Sequence, residues 1–174
     1  MANGISTTIR TGQSTLSQGA EQVHTLIITL QERPGSVDRV VGLLRRRRAS
    51  PRSLILTQTG LPEQVCITAQ VRDSEVAIDQ LTEQLRKLVD VYQVQNLTAA
   101  EIIAQELVLI KINVPAERAV QAQQSGAQII ASTAQTTTIS YTGTHEQVDA
   151  FIASCEESGI HEIARSGSVA LSRE

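Results

Sequence analysis

The sequence predicts an α+β fold of two consecutive βαββαβ modules. Three observations carry that expectation. Short β-rich runs alternate with helical faces in that order, the same order then returns, and each copy takes roughly 70 residues, a usual span for a ferredoxin-like module. Only Tyr92, Tyr141 and Phe151 are aromatic among 174 residues, and Trp is absent, so both cores are expected to be aliphatic. The organisation read from the chain is a flexible tail over 1–22, a first module over 23–97, a linker over 98–106 that forms a short helix, and a second module over 107–174.

In the first module, His24-Thr25-Leu26-Ile27-Ile28-Thr29-Leu30 reads as a strand with Leu26, Ile28 and Leu30 on one face. Gln31 to Gly35 is a turn. A helix is expected over Ser36–Arg48, because Val37, Val40, Val41 and Leu44 recur at i, i+3, i+4 and i+7. Ser50-Pro51 ends it, since the residue before proline avoids the helical region. Two strands, Ser53–Thr59 and Val65–Val71, flank the hairpin loop Gly60-Leu61-Pro62. A second helix over Ser74–Leu88 is capped by Ser74 and lined by Ile78, Leu81, Leu85 and Leu88. Val89–Leu97 is the fourth strand.

The second module opens with a strand at Leu107–Val114, then a short helix over Pro115–Ser125 stopped by Gly126. Ala127–Thr133 and Thr137–Thr142 read as strands. Thr144–Ser158 is a helix with Val148, Phe151 and Ile152 inward, stopped by Gly159. Ile160–Ala164 and Val169–Leu171 read as two closing strands. Helices cover one face of each sheet, so the other face must be solvated, lie against the second sheet or meet another chain.

Composition narrows the function. A formal charge of -3 and so few aromatics argue against nucleic-acid binding, which needs basic surfaces and stacking rings. No apolar run approaches the roughly 20 residues that span a bilayer. The opening residues lack the apolar region of a secretory signal, and a bland extension is favoured over a transit peptide because Arg10 is their only basic residue. A cytoplasmic location is therefore expected. His24, His145 and His161 lie in different elements and read as surface or edge histidines, not metal ligands. Cys66 and Cys155 read as incidental thiols without a local base. Asp73, Glu75, Asp79 and Glu83 form a solvated helix face. No phosphate loop, dinucleotide fingerprint or nucleophile elbow is present in the sequence.

Two features rise above this background. Pro34-Gly35-Ser36 joins the first strand to the first helix, where a glycine lets a carboxylate approach free backbone N–H groups; an ordinary turn is the plainer alternative. The run Arg45-Arg46-Arg47-Arg48 ends the first helix, either as a solvated cap or as a surface for an anionic partner.

The stretches His24-Thr25-Leu26 to Gly35, Arg39 to Leu44, Gln84 to Val91, Glu106 to Ile112, Thr142-Gly143-Thr144, Asp149-Ala150-Phe151 and Ile163 to Arg173 together resemble the small, regulatory subunits of acetohydroxyacid synthase (acetolactate synthase). The resemblance runs from His24 to the C-terminus. It implies that the first module is an ACT domain, that two copies dimerise through their ACT edges, and that the chain activates a separate catalytic subunit. Thiamine diphosphate, Mg²⁺ and FAD would belong to that catalytic subunit, with no cofactor, metal or catalytic residue in this chain. It further implies feedback by valine or another branched-chain amino acid at a pocket built from Glu32, Pro34, Gly35, Ser36 and Ser50. The family carries asparagine where this chain has Glu32 and Ser50, and glycine where it has Arg48. An ionised glutamate cannot donate to a ligand carboxylate and repels it, so weak or absent valine inhibition is expected. Arg48 or Arg52 could offset the Glu32 charge across the dimer interface. The run Arg45–Arg48 is expected to meet carboxylates of the catalytic subunit. Two other readings stand beside this one: a stand-alone small-molecule sensor dimer, and a nucleic-acid regulator using the arginines, which charge and composition disfavour.

Overall fold

The structure, a computed structural model, describes residues 21–47, 51–98, 101–115 and 126–173. Two four-stranded antiparallel sheets stand in series. The first contains β1 (Gln22–Gln31), α1 (Ser36–Arg46), β2 (Pro51–Gln58), β3 (Gln64–Asp73), α2 (Glu75–Arg86) and β4 (Val91–Leu97), with strand order β2-β3-β1-β4. The second contains β5 (Ile102–Ile112), β6 (Gln128–Ser132), β7 (Thr137–Gly143), α3 (His145–Cys155), a 3-10 turn at Glu156–Ser158 and β8 (Ile160–Ser172), ordered β6-β7-β5-β8. Each module is ferredoxin-like, as the element order predicts. The expected tail apart from Glu21 and Gln22, the helix expected over Pro115–Ser125 apart from Pro115, and residues Arg48 and Ser50 lie outside the described residues.

Alternation decides which face is core. Leu26, Ile28 and Leu30 of β1 meet Val65, Ile67, Ala69 and Val71 of β3 beneath Val40 and Leu44 of α1 and Ile78, Leu81 and Leu85 of α2. Leu43 joins this core and Val37 packs against it in part, whereas Val41 is half-buried outside it. Ser74 caps α2, its Oγ accepting from Ala77 N at 3.4 Å. In the second module Val108, Ile110, Ile112 and Ile139 pack against Val148 and Phe151. α3 begins with a reciprocal cap in which Thr144 Oγ1 accepts from Gln147 N while Gln147 Oε1 accepts from Thr144 N at 2.8 Å.

Two expectations need correction. The segment expected as a helical linker over 98–106 is strand from Ile102 onward, because Ile102–Glu106 pairs with Ser168–Ser172. The two closing strands are one continuous β8. A register shift between Glu106 and Val108, which pair with Ser168 and Arg165, sets Ser166-Gly167 opposite Leu107 alone, and Gly167 adopts φ 75° there.

The open face of the first sheet is covered in part by the second module. Ile27, Cys66 and Leu97 pack with Ile102, Ala104 and Ala170. At Gly167 a Cβ would stand 3.1 Å from Ser53 Cβ and 3.2 Å from Ile55 Cδ1, so β8 runs directly over β2. The opposite face of β5 carries Ile103, Leu107 and Leu109, all exposed.

Candidate functional site

The expected ligand turn lies between β1 and α1. Gly35 is the N-cap of α1 with φ 79° and ψ 0°, and no side chain caps the helix. Positive φ is where glycine is needed, and the open helix end suits an anion. Two flanking loops are tied to this turn by the backbone. Glu32 N donates to Glu63 O at 2.8 Å, and Gln31 N donates to Asp90 O at 2.8 Å. A side-chain clasp reinforces it: Arg39 of α1 is ion-paired with the buried Asp90, with Nε 2.9 Å from Oδ2. The same guanidinium stands 3.3 Å from where a Gly35 Cβ would be.

Glu32 and Pro34 are exposed at this turn. Ser36 is buried, and its Oγ accepts from Arg33 N at 3.2 Å, so its hydroxyl is already used in holding the turn. Arg45, Arg46 and Arg47 are exposed at the end of α1, and Arg47 Nε donates to Gln84 Oε1 of α2 at 2.8 Å.

A charged cluster that sequence reading missed lies in the second module. Glu106 is 3% exposed and receives Arg165 Nε at 2.6 Å, Arg165 Nη2 at 3.0 Å and His145 Nδ1 at 3.0 Å. Arg165 Nη1 also donates to Asp149 Oδ1 at 2.7 Å. Burial pushes the Glu106 carboxyl up, but the Arg165 and His145 contacts outweigh it and hold its pKa below the usual carboxylate range. Asp149 is held low as well, first by the Arg165 hydrogen bond. His145 is therefore not an isolated surface residue. Its i+4 relation to Asp149 on one helix face was the available signal; Glu106 and Arg165 stand 59 residues apart. His24 departs from the surface reading too: it is 1% exposed, with Nδ1 3.1 Å from Asn96 Oδ1. Burial pushes both thiols up, and Cys66 and Cys155 are free. Among the described residues no three His, Cys, Asp or Glu side chains are placed to hold a metal ion, and no helix is long and apolar enough to cross a membrane.

A four-stranded sheet packed against two helices, followed by a second four-stranded sheet with the equivalent strand order, defines a tandem ferredoxin-like architecture. Residues 32–94 match the ACT domain family, and residues 105–174 match the family described as the small subunit of acetolactate synthase. The acetolactate synthase small subunit of Haemophilus influenzae is 35% identical over 153 residues, covering 85% of this chain and 94% of that protein. The isozyme 3 small subunit of Salmonella typhimurium is 33% identical over 153 residues, with 85% and 94% covered. The crystal structure of the acetolactate synthase small subunit from Thermotoga maritima superposes with a TM-score of 0.80 at 25% identity, over 88% of this chain and 98% of that one. The chain belongs to the acetolactate synthase small-subunit family, whose role is regulatory.

Proposed function

We propose that this chain binds the catalytic subunit of acetolactate synthase and raises its activity. The observation that carries the reading is the similarity to small subunits across both modules. Thiamine diphosphate, Mg²⁺ and FAD belong to the catalytic partner in this reading, and this chain acts through contact alone. Dimerisation through the ACT edges is supported by β2, which lies at the edge of its sheet and exposes Leu54 and Leu56. Arg45 and Arg46 point the basic end of α1 outward and suit carboxylates on the partner.

Feedback by valine is weak or absent in this account. Glu32 sits on the turn that presents the open end of α1, so its charge opposes a carboxylate arriving there. A misplaced like charge costs more than the about 1.4 kcal/mol that corresponds to a tenfold loss of affinity. Acetolactate formation by the catalytic subunit, with and without this chain and across a valine series, tests both parts. Activation with little valine response supports them; inhibition at sub-millimolar valine removes the second.

A further inference from the structure

A cleft of about 550 Å³ lies where the second module crosses the open face of the first sheet. Its size falls within the range of small-molecule sites. Arg52 and Ser53 of β2 and Gln70 of β3 form one wall; Asp149 of α3 and Arg165 and Gly167 of β8 form the other. Three polar groups there face the cleft. Gln70 is 8% exposed, and its side chain lines the cleft. Ser53 Oγ is buried without a hydrogen-bond partner among the described residues. Arg52 has no carboxylate within ion-pair distance among the described residues, although its charge is felt at Asp149 across the cleft. Buried polar groups without partners are exceptions that need a reason.

The charges specify the ligand class. Arg165 is already engaged by Glu106 and Asp149, and Glu106 is saturated by Arg165 and His145. Among the described residues lining the cleft, Arg52 is therefore the cation without an ion pair. Asp149 retains Oδ2, which is 3.4 Å from His145 Nε2. The two arginines and two carboxylates of the cleft cancel in formal charge, which disfavours a simple anion and suits a molecule carrying both signs. We propose that this cleft binds a small polar α-amino acid, with its carboxylate on Arg52, its ammonium on Asp149 and its side chain on the Gln70 amide and Ser53 hydroxyl. A guanidinium takes a carboxylate in a bidentate pair, and an ammonium supplies three donors.

The site is distinct from the turn at Gly35. Gln70 pairs with Thr25 near the start of β1, whereas the turn follows Gln31, roughly 20 Å further along the strand at about 3.3 Å per residue. The proposal needs no catalytic subunit, so its failure and that of the regulatory reading are separate events.

Saturation-transfer NMR on the full chain tests it with three probes: L-serine, L-glycerate, which replaces the ammonium by a hydroxyl at the same configuration, and ethanolamine, which lacks the carboxylate. Saturable binding of L-serine is expected, with L-glycerate and ethanolamine each about tenfold weaker or more, since each lacks one charge-assisted contact. Arg52→Gln, at an exposed position, should weaken L-serine by a similar factor. Gln70→Leu, with its fold checked by thermal unfolding, should also weaken it, while Gly35→Ala should leave it unchanged. No saturable L-serine binding by the unaltered chain, equal binding by Arg52→Gln, L-glycerate binding as tightly as L-serine, or loss in Gly35→Ala alone would overturn the proposal.

Discussion

Glu106 shows how one buried carboxylate can organise a module from three elements. It stands on β5, its cation Arg165 on β8, and His145 at the first turn of α3. Removing one partner of a buried pair leaves the other charge uncompensated and costs about 3–5 kcal/mol, so Glu106→Gln should lower stability by about 3 kcal/mol in urea unfolding. The pH dependence follows in sign. The folded pKa of Glu106 is depressed, so the unfolded chain binds the proton first as pH falls. The contribution is complete above the unfolded glutamate value of about 4.3 and is lost as pH drops through the folded value. Stability measured from pH 6 to pH 3 should therefore fall more steeply in the unaltered protein than in Glu106→Gln. Gly35 makes a local contribution of another kind. Its φ of 79° and the nearby Arg39 Nη1 make Gly35→Ala destabilising by about 1–2 kcal/mol, the cost of left-handed backbone for an L-residue. Gly35 was legible from its place between a strand and a helical stripe. The Glu106 cluster was not, because its principal pair joins residues that only strand pairing brings together.

Elements were legible wherever periodicity ran unbroken. β1 and α2 fall within two residues of expectation because each carries a clean apolar stripe. β8 was read as two strands because Arg165-Ser166-Gly167 interrupts the alternation, and only the partner strand shows this as a bulge. Likewise, Ile102–Glu106 lies next to a turn and gives too short a signal to be separated from a linker. The bulge has a consequence for the join between modules. Gly167→Val would place a branched side chain against Ser53 and Ile55 at a positive φ, and should raise hydrogen exchange in β2 while sparing α2. The basic end of α1 has the opposite profile. Arg45, Arg46 and Arg47 are exposed, so replacing all three with Ser should change stability by no more than about 0.5 kcal/mol per site, yet weaken activation of the catalytic subunit. Unchanged activation would remove that surface from the account.

At the scale of the whole molecule, the scarcity of aromatics becomes a structural property. Tyr141 and Phe151 stack at 4.4 Å in the second core, and aliphatic side chains make up the first. The stacking of one module on the other was left open by the sequence, since the residues that join them, Ile27, Ile102 and Ala170, are an ordinary apolar set with no periodicity of their own. Among the described residues, the β2 edge exposes Leu54 and Leu56, and the outer face of β5 exposes Ile103, Leu107 and Leu109. The most direct test of its regulatory role is acetolactate formation by the catalytic subunit, titrated with this chain from none to saturation. A saturable rise in rate that falls when Arg45–Arg47 are replaced is the predicted result. A rate that stays flat across the titration, with no complex recovered on co-purification, would contradict the account.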